Sequence, residues 1–153
     1  MTSKARRYLE LMEAASSYIE EVKIKCDSPE KVADFLRPIM RKDQEVFYSL
    51  YLGNKHHLLD FDEITKGLID RTHIHTREVF RQAIVNSSLS IVLAHNHPSG
   101  NPFPSHQDID STKTLVAAGK ILGIEVLDHV IVVNKSVKTP SGYYSFRENG
   151  HIN

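Results

Sequence analysis

Apolar residues at Tyr8, Leu11, Met12, Ala15 and Ile19 recur at helical spacing and predict a helix over Ala5 to Glu21. Val22-Lys23-Ile24-Lys25-Cys26 then alternates apolar and polar, the pattern of a half-buried strand. Ser28-Pro29-Glu30 reads as an N-cap followed by proline in the first turn of a helix whose buried face is Val32, Phe35, Leu36 and Ile39. Pro38 is tolerated only near its end. Val46 to Leu52 is an aromatic and aliphatic strand, Gly53-Asn54 a hairpin turn, and His57 to Ile64 the returning strand. Thr76 is placed to cap a helix facing inward through Val79, Phe80, Ala83 and Ile84. Ser90 to Ala94 is a continuous apolar run, as expected of a strand covered on both faces. After a loop punctuated by Pro98, Gly100, Pro102 and Pro104, a helix over about Gln107 to Leu122 buries Ile109, Thr112, Leu115, Val116, Gly119 and Leu122. Ile124 to Leu127 and Val130 to Val133 are strand material, and Gly142 to Phe146 is a last short strand. Strands interleaved with helices, with one antiparallel hairpin, predict an α/β (α+β) fold around a mixed β-sheet flanked by helices.

At 153 residues the chain suits one globular domain, and 41% apolar with 25% charged residues is the composition of a folded protein. Nineteen basic residues balance nineteen acidic ones, which removes the clustered basic excess expected of nonspecific nucleic-acid binding. A single cysteine, Cys26, excludes an internal disulfide and a cysteine-based zinc site, and reads as a small buried hydrophobe. The sequence has neither an apolar run of membrane-spanning length nor a secretory leader, so the expectation is a cytoplasmic protein without membrane contact.

Nine histidines change the picture. His95 and His97 are two apart at the end of a predicted strand, so both imidazoles point to the same face. Asp108 follows His97 after ten residues (98–107), in the first turn of the next helix, within reach of the strand end. Two imidazoles and one carboxylate suit one zinc ion per chain and leave the fourth tetrahedral position to water, whose pKa such a site lowers to about 7. A carboxylate outside the ligand set must then move protons, and Glu45 is placed for this if its strand lies beside the one ending at His95. The same residue types also form the facial triad of non-haem iron sites. Ser105-x-x-Asp108 alternatively fits a capping box, with serine and acid satisfying the helix start.

His95-x-His97-Pro98, the spacing to Asp108, Ser105 three residues before it and the upstream Glu45 together resemble the JAMM (MPN-plus) metalloprotease signature. His95-Asn96-His97-Pro98-Ser99-Gly100, Arg77-Glu78-Val79-Phe80, Asp128-His129 and Tyr144-Ser145-Phe146-Arg147 resemble its RadC-like branch, over roughly Val22 to Gly150. The resemblance implies a cytidine-deaminase-like JAB/MPN fold, with residues 22–153 as that domain and 1–21 as an N-terminal helical extension. It further implies His95, His97 and Asp108 as zinc ligands, Glu45 as general base and Ser105 as hydrogen-bond donor to the oxyanion. The implied activity is hydrolysis of a peptide or isopeptide-like amide, with a peptide or protein as substrate. An alternative is a metal-holding module in DNA repair or mobile-element biology, for which the charge balance offers no support. RadC-like proteins are usually longer, with an N-terminal helical region where this sequence has only its first helix. Base deamination, which needs a Cys-x-x-Cys pair, is excluded.

Other polar residues carry weaker expectations. His56, His57, Asp60, Asp62 and Glu63 belong to a solvated hairpin; His73 and His75 line the cleft or the helix start. Asp128 and His129 form a hydrogen-bonded pair or hold a ligand imidazole in place. His106 is an alternative ligand beside Asp108, and the Val46 to Leu52 strand is a candidate edge for pairing with a second copy.

Overall fold

A computed structural model describes residues 2–66 and 74–153. The elements run α1 (Ser3–Val22), α2 (Pro29–Leu36), β1 (Val46–Leu52), β2 (Leu58–Lys66), α3 (Thr76–Val85), β3 (Ser90–Asn96), α4 (His106–Leu122), β4 (Glu125–Val132) and β5 (Tyr143–Ser145), with a short 3₁₀ turn at Asn54–His56. The strands form one mixed sheet in the order β2-β1-β3-β4-β5. β3 and β4 are parallel, joined through α4, and the other neighbours are antiparallel. The mixed α/β sheet flanked by helices is the architecture the sequence predicts.

Period-2 alternation sorts the strand side chains onto two cores. On one face Val46, Tyr48, Leu50, Val92, Ala94, Val130 and Val132 pack with Ala15 and Ile19 of α1 and Val32, Ala33 and Leu36 of α2. On the other, Phe47, Tyr51, Ile91, Leu93 and Ile131 pack with Val79, Phe80 and Ala83 of α3 and Leu115 of α4. Every residue of β1 and β3 is buried, which is why β3 reads as an apolar run rather than an alternation. Gly119 lets α4 close down on the sheet: a Cβ there would run into the backbone oxygen of Ile124.

One irregularity sets which side chains of β4 meet the site. β3 and β4 pair Ile91 with Val126 and then Val92 with Asp128, so Leu127 is an extra residue in the ladder. Such a bulge inverts the facing of everything beyond it. Val126 and Ile131 therefore share the α3/α4 face, with His129 between them, while Asp128 faces the other way.

Several local expectations are corrected. Val22 to Cys26 is not a strand: α1 continues to Val22, Lys23 closes it in a left-handed conformation (φ 51°) with its N–H on Ile19 O, and Lys25 makes an isolated bridge to His57. The hairpin connection is longer than Gly53-Asn54, because the 3₁₀ turn intervenes and Lys55 and His56 both take positive φ. His75, not Thr76, occupies the cap position of α3, and makes no side-chain cap bond. Leu122 is exposed at the end of α4, and the two apolar runs after it form the single strand β4. β1 lies between β2 and β3, so it is not an edge available to a second copy. Among the described residues no helix is long and apolar enough to cross a membrane.

Candidate metal centre

The antiparallel pairing of β1 with β3 sets Phe47 opposite His95, so the start of β1 adjoins the end of β3. This brings Glu45, immediately before β1, to the two histidines: a carboxylate oxygen of Glu45 and ring nitrogens of His95 and His97 all lie within 4.8 Å of one another. The chain then crosses the Pro98–Pro104 loop and enters α4 at Ser105, which returns Asp108 to the same point. His95 Nε2 and His97 Nε2 are 2.9 Å apart, and Asp108 Oδ2 is 3.6 Å from the first and 3.8 Å from the second. Glu45, His97, Phe103, Ser105 and Asp108 line a cleft of about 580 Å³, and His95 is buried below it.

These donors fit a small divalent cation. Around a tetrahedral ion with bonds of ~2.0–2.1 Å, ligand atoms sit roughly 3.3–3.4 Å apart, and the three separations straddle that value. His97 Nδ1 lies 2.6 Å from the carbonyl oxygen of Asn101, which can only accept, so Nδ1 carries the proton and Nε2 presents a lone pair. Burial holds the His97 imidazole below its ordinary pKa, and the nearness of His95 adds to this. Burial alone would raise the Asp108 carboxyl, and the hydrogen bond it accepts from the Ser105 backbone N–H opposes this and favours the ionised form. A neutral imidazole and an ionised carboxylate are the forms that ligate metals.

Ser105 and Asp108 form a reciprocal capping box at the start of α4. Ser105 Oγ accepts from Asp108 N at 3.1 Å, and Asp108 Oδ2 accepts from Ser105 N at 2.8 Å. Capping and a role in the cleft are compatible, because the cap uses a lone pair of the hydroxyl and leaves its proton to donate. The cap also orients the carboxylate, with Oδ2 serving the helix start and facing the imidazoles. His106 is exposed at the first position of α4, and Asp108 is the residue that meets the histidines.

Three residues that hold the site had no assigned role, or only an ambiguous one, from sequence. Asn96 points to the face opposite His95 and bonds to Arg41 O, Gln44 O and Val46 N, bracketing Glu45. A polar side chain on an otherwise apolar strand face was its signal. His129 is buried against His95, with Nε2 2.7 Å from His95 Nδ1, and burial first and then His95 keep its pKa well below the ordinary value. Thr112, one turn after Asp108 on the same face of α4, reaches His129 Nδ1 at 2.6 Å. Of the two readings for Asp128 and His129, support of a candidate ligand is borne out by His129 on the His95 imidazole, while the side-chain pairing of the other is corrected. Asp128 bonds to the backbone N–H of His129, to Ser145 and to Arg147 N, while the His129 ring turns to His95. His56 is exposed and His57 sits against Lys23 O; the reading of His73 lies outside the described residues.

The family model described as the RadC-like JAB domain matches residues 26–151. The chain is 38% identical over 144 residues to a UPF0758 protein of Methanosarcina mazei, an alignment covering 94% of this chain and 60% of the relative. It is 42% identical over 124 residues to a UPF0758 protein of Symbiobacterium thermophilum, covering 80% and 50%. With a UPF0758 protein of Bacillus cereus strain G9842 it shares 43% over 126 residues, covering 82% and 53%. The chain thus spans about half to three-fifths of the length of these relatives. Match, sheet order and the meeting of Glu45, His95 and His97 agree: the chain belongs to the RadC-like JAB domain family.

Proposed function

We propose that this domain is a zinc-dependent hydrolase that cleaves a peptide or isopeptide-like amide. The observation that carries the reading is the convergence of His95 Nε2, His97 Nε2 and Asp108 Oδ2, separated by 2.9, 3.6 and 3.8 Å, beside Glu45 in a cleft. His95, His97 and Asp108 would hold the ion. When bound, zinc supplies Lewis acidity to the substrate carbonyl and makes water available as a nucleophile at neutral pH. Glu45 takes the proton of the attacking water and passes it to the departing nitrogen, a transfer that its place beside both histidines supports. Ser105 donates its hydroxyl proton to the oxygen that becomes negative in the tetrahedral transition state.

The test joins elemental analysis of protein purified without added metal to a peptide-library cleavage screen of the parent and Glu45→Gln. The reading expects one zinc per chain in both, and cleavage by the parent alone. Metal content that survives His97→Ala, or cleavage that survives Glu45→Gln, overturns it.

A further inference from the structure

Behind the cleft, a line of hydrogen bonds runs from the backbone of α4 to the imidazole of His95. It begins at the carbonyl oxygen of Asp108, which can only accept. Thr112 Oγ1 lies 2.6 Å from that oxygen and 2.6 Å from His129 Nδ1. A hydroxyl has one proton to give. The carbonyl takes it, so the Thr112 oxygen must accept from His129 Nδ1–H. His129 Nε2 is then a lone pair, 2.7 Å from His95 Nδ1, and accepts from that nitrogen. His95 therefore carries its proton on Nδ1 and turns the lone pair of Nε2 toward His97 and Asp108. Reversing the hydroxyl would set two acceptor oxygens 2.6 Å apart, and reversing the imidazoles would oppose two lone pairs or two protons. The His129 ring is stacked on Phe146 with centroids 4.4 Å apart and is 1% exposed, so solvent cannot replace either partner.

We infer that Thr112 and His129 are positioning residues for the metal centre, fixing His95 in the tautomer that offers Nε2 to a cation. The inference rests on the metal-centre reading above and deepens it. His97 reaches the same tautomer through Asn101 O, so the two nitrogens that face each other at 2.9 Å are both lone-pair donors, an arrangement only a shared cation or proton stabilises. The helix that delivers the Asp108 carboxylate also sets, one turn later through Thr112, the protonation pattern of the histidine opposite. The carboxylate and the imidazole are thereby organised by one element.

Zinc affinity is measured by chelator competition in the parent, Thr112→Val, Thr112→Ser and His129→Phe, with melting of each metal-free protein recorded alongside. Thr112→Val keeps the shape and removes the hydroxyl, and is expected to weaken zinc binding about 10–100-fold, as is His129→Phe. Thr112→Ser restores the hydroxyl and is expected to bind as the parent does. Nitrogen-15 NMR of the His95 ring in metal-free parent reads the tautomer directly, with the proton expected on Nδ1. Folded Thr112→Val with parental zinc affinity, or a neutral His95 ring carrying its proton on Nε2, overturns the inference. If the parent takes up no zinc that His97→Ala abolishes, the metal reading is what fails, and the His95 tautomer still decides the relay.

Discussion

Asn96 Oδ1 accepts the backbone N–H of Val46 at 2.7 Å, and through Nδ2 the same side chain donates to Gln44 O at 3.0 Å, so one buried amide grips the chain on both sides of Glu45. A third bond, to Arg41 O, anchors the segment leading into β1. Glu45 sits on a loop end rather than inside a strand, and Asn96 makes that end rigid. Asn96→Ala leaves buried backbone groups without this partner, at a cost of about 1–3 kcal/mol, readable by chemical denaturation. Zinc content is expected to persist while hydrolysis falls. A variant as stable and active as the parent would show that β1 holds Glu45 without this clamp.

Glu45 and His97 are expected to separate binding from chemistry. Glu45→Gln keeps the size and neutralises the carboxylate, so metal stays and amide cleavage is lost. His97→Ala removes a donor, so both are lost. Metal analysis and a cleavage assay on the same preparations check the pair.

Ser105 is expected to carry two separable roles. Ser105→Ala removes the cap, costing about 1 kcal/mol of stability, and removes the hydroxyl donor, costing about 10²–10³ in kcat. Ser105→Asp keeps a capping oxygen and has no hydroxyl, so stability is retained while kcat falls. Thermal melts set against kcat distinguish these outcomes; equal kcat in Ser105→Asp and parent removes the donor role.

Cys26 is 3% exposed, and burial, reinforced by Asp27, pushes its thiol from 9.0 up to about 12. The native thiol is therefore expected to resist a disulfide reagent at pH 8 and to react once the chain is denatured. The raised value means the folded state keeps the proton that the unfolded state releases. The corresponding stabilisation is complete below pH 9.0 and is lost as pH rises from there toward about 12. Denaturation of Cys26→Ala against parent across that interval checks the sign, since the parent alone should show this loss.

The grouping of His95, His97 and Asp108 was legible because its parts are local in the sequence. His95 and His97 share a strand face by the two-residue period, and Ser105 and Asp108 share a helix start by the three-residue cap spacing. The apolar run of β3 and most of the buried faces of α2 to α4 followed from periodicity in the same way, but Ile84, expected to face inward on α3, is exposed. Val22 to Cys26 misled because five alternating residues after a helix fit a strand as readily as a helix end and a turn. Leu122 misled because the last turn of α4, Lys120 to Leu122, is exposed on all its sides, so helical spacing there no longer marks a buried face.

Adjacency across the sheet was beyond any local pattern. That β1 lies inside the sheet, antiparallel to β3, is what brings Glu45 to the histidines, and it depends on how five strands divide two cores. Which of Asp128 and His129 reaches His95 hinges on the single extra residue Leu127, because one bulge exchanges the two faces for the rest of β4. Residue order alone determined which groups could ligate a metal, since spacing within one strand and one helix turn is a covalent property. Only the tertiary structure decided what holds them there, because the contacts of Asn96, Thr112 and His129 exist once strands distant in sequence pair in one register.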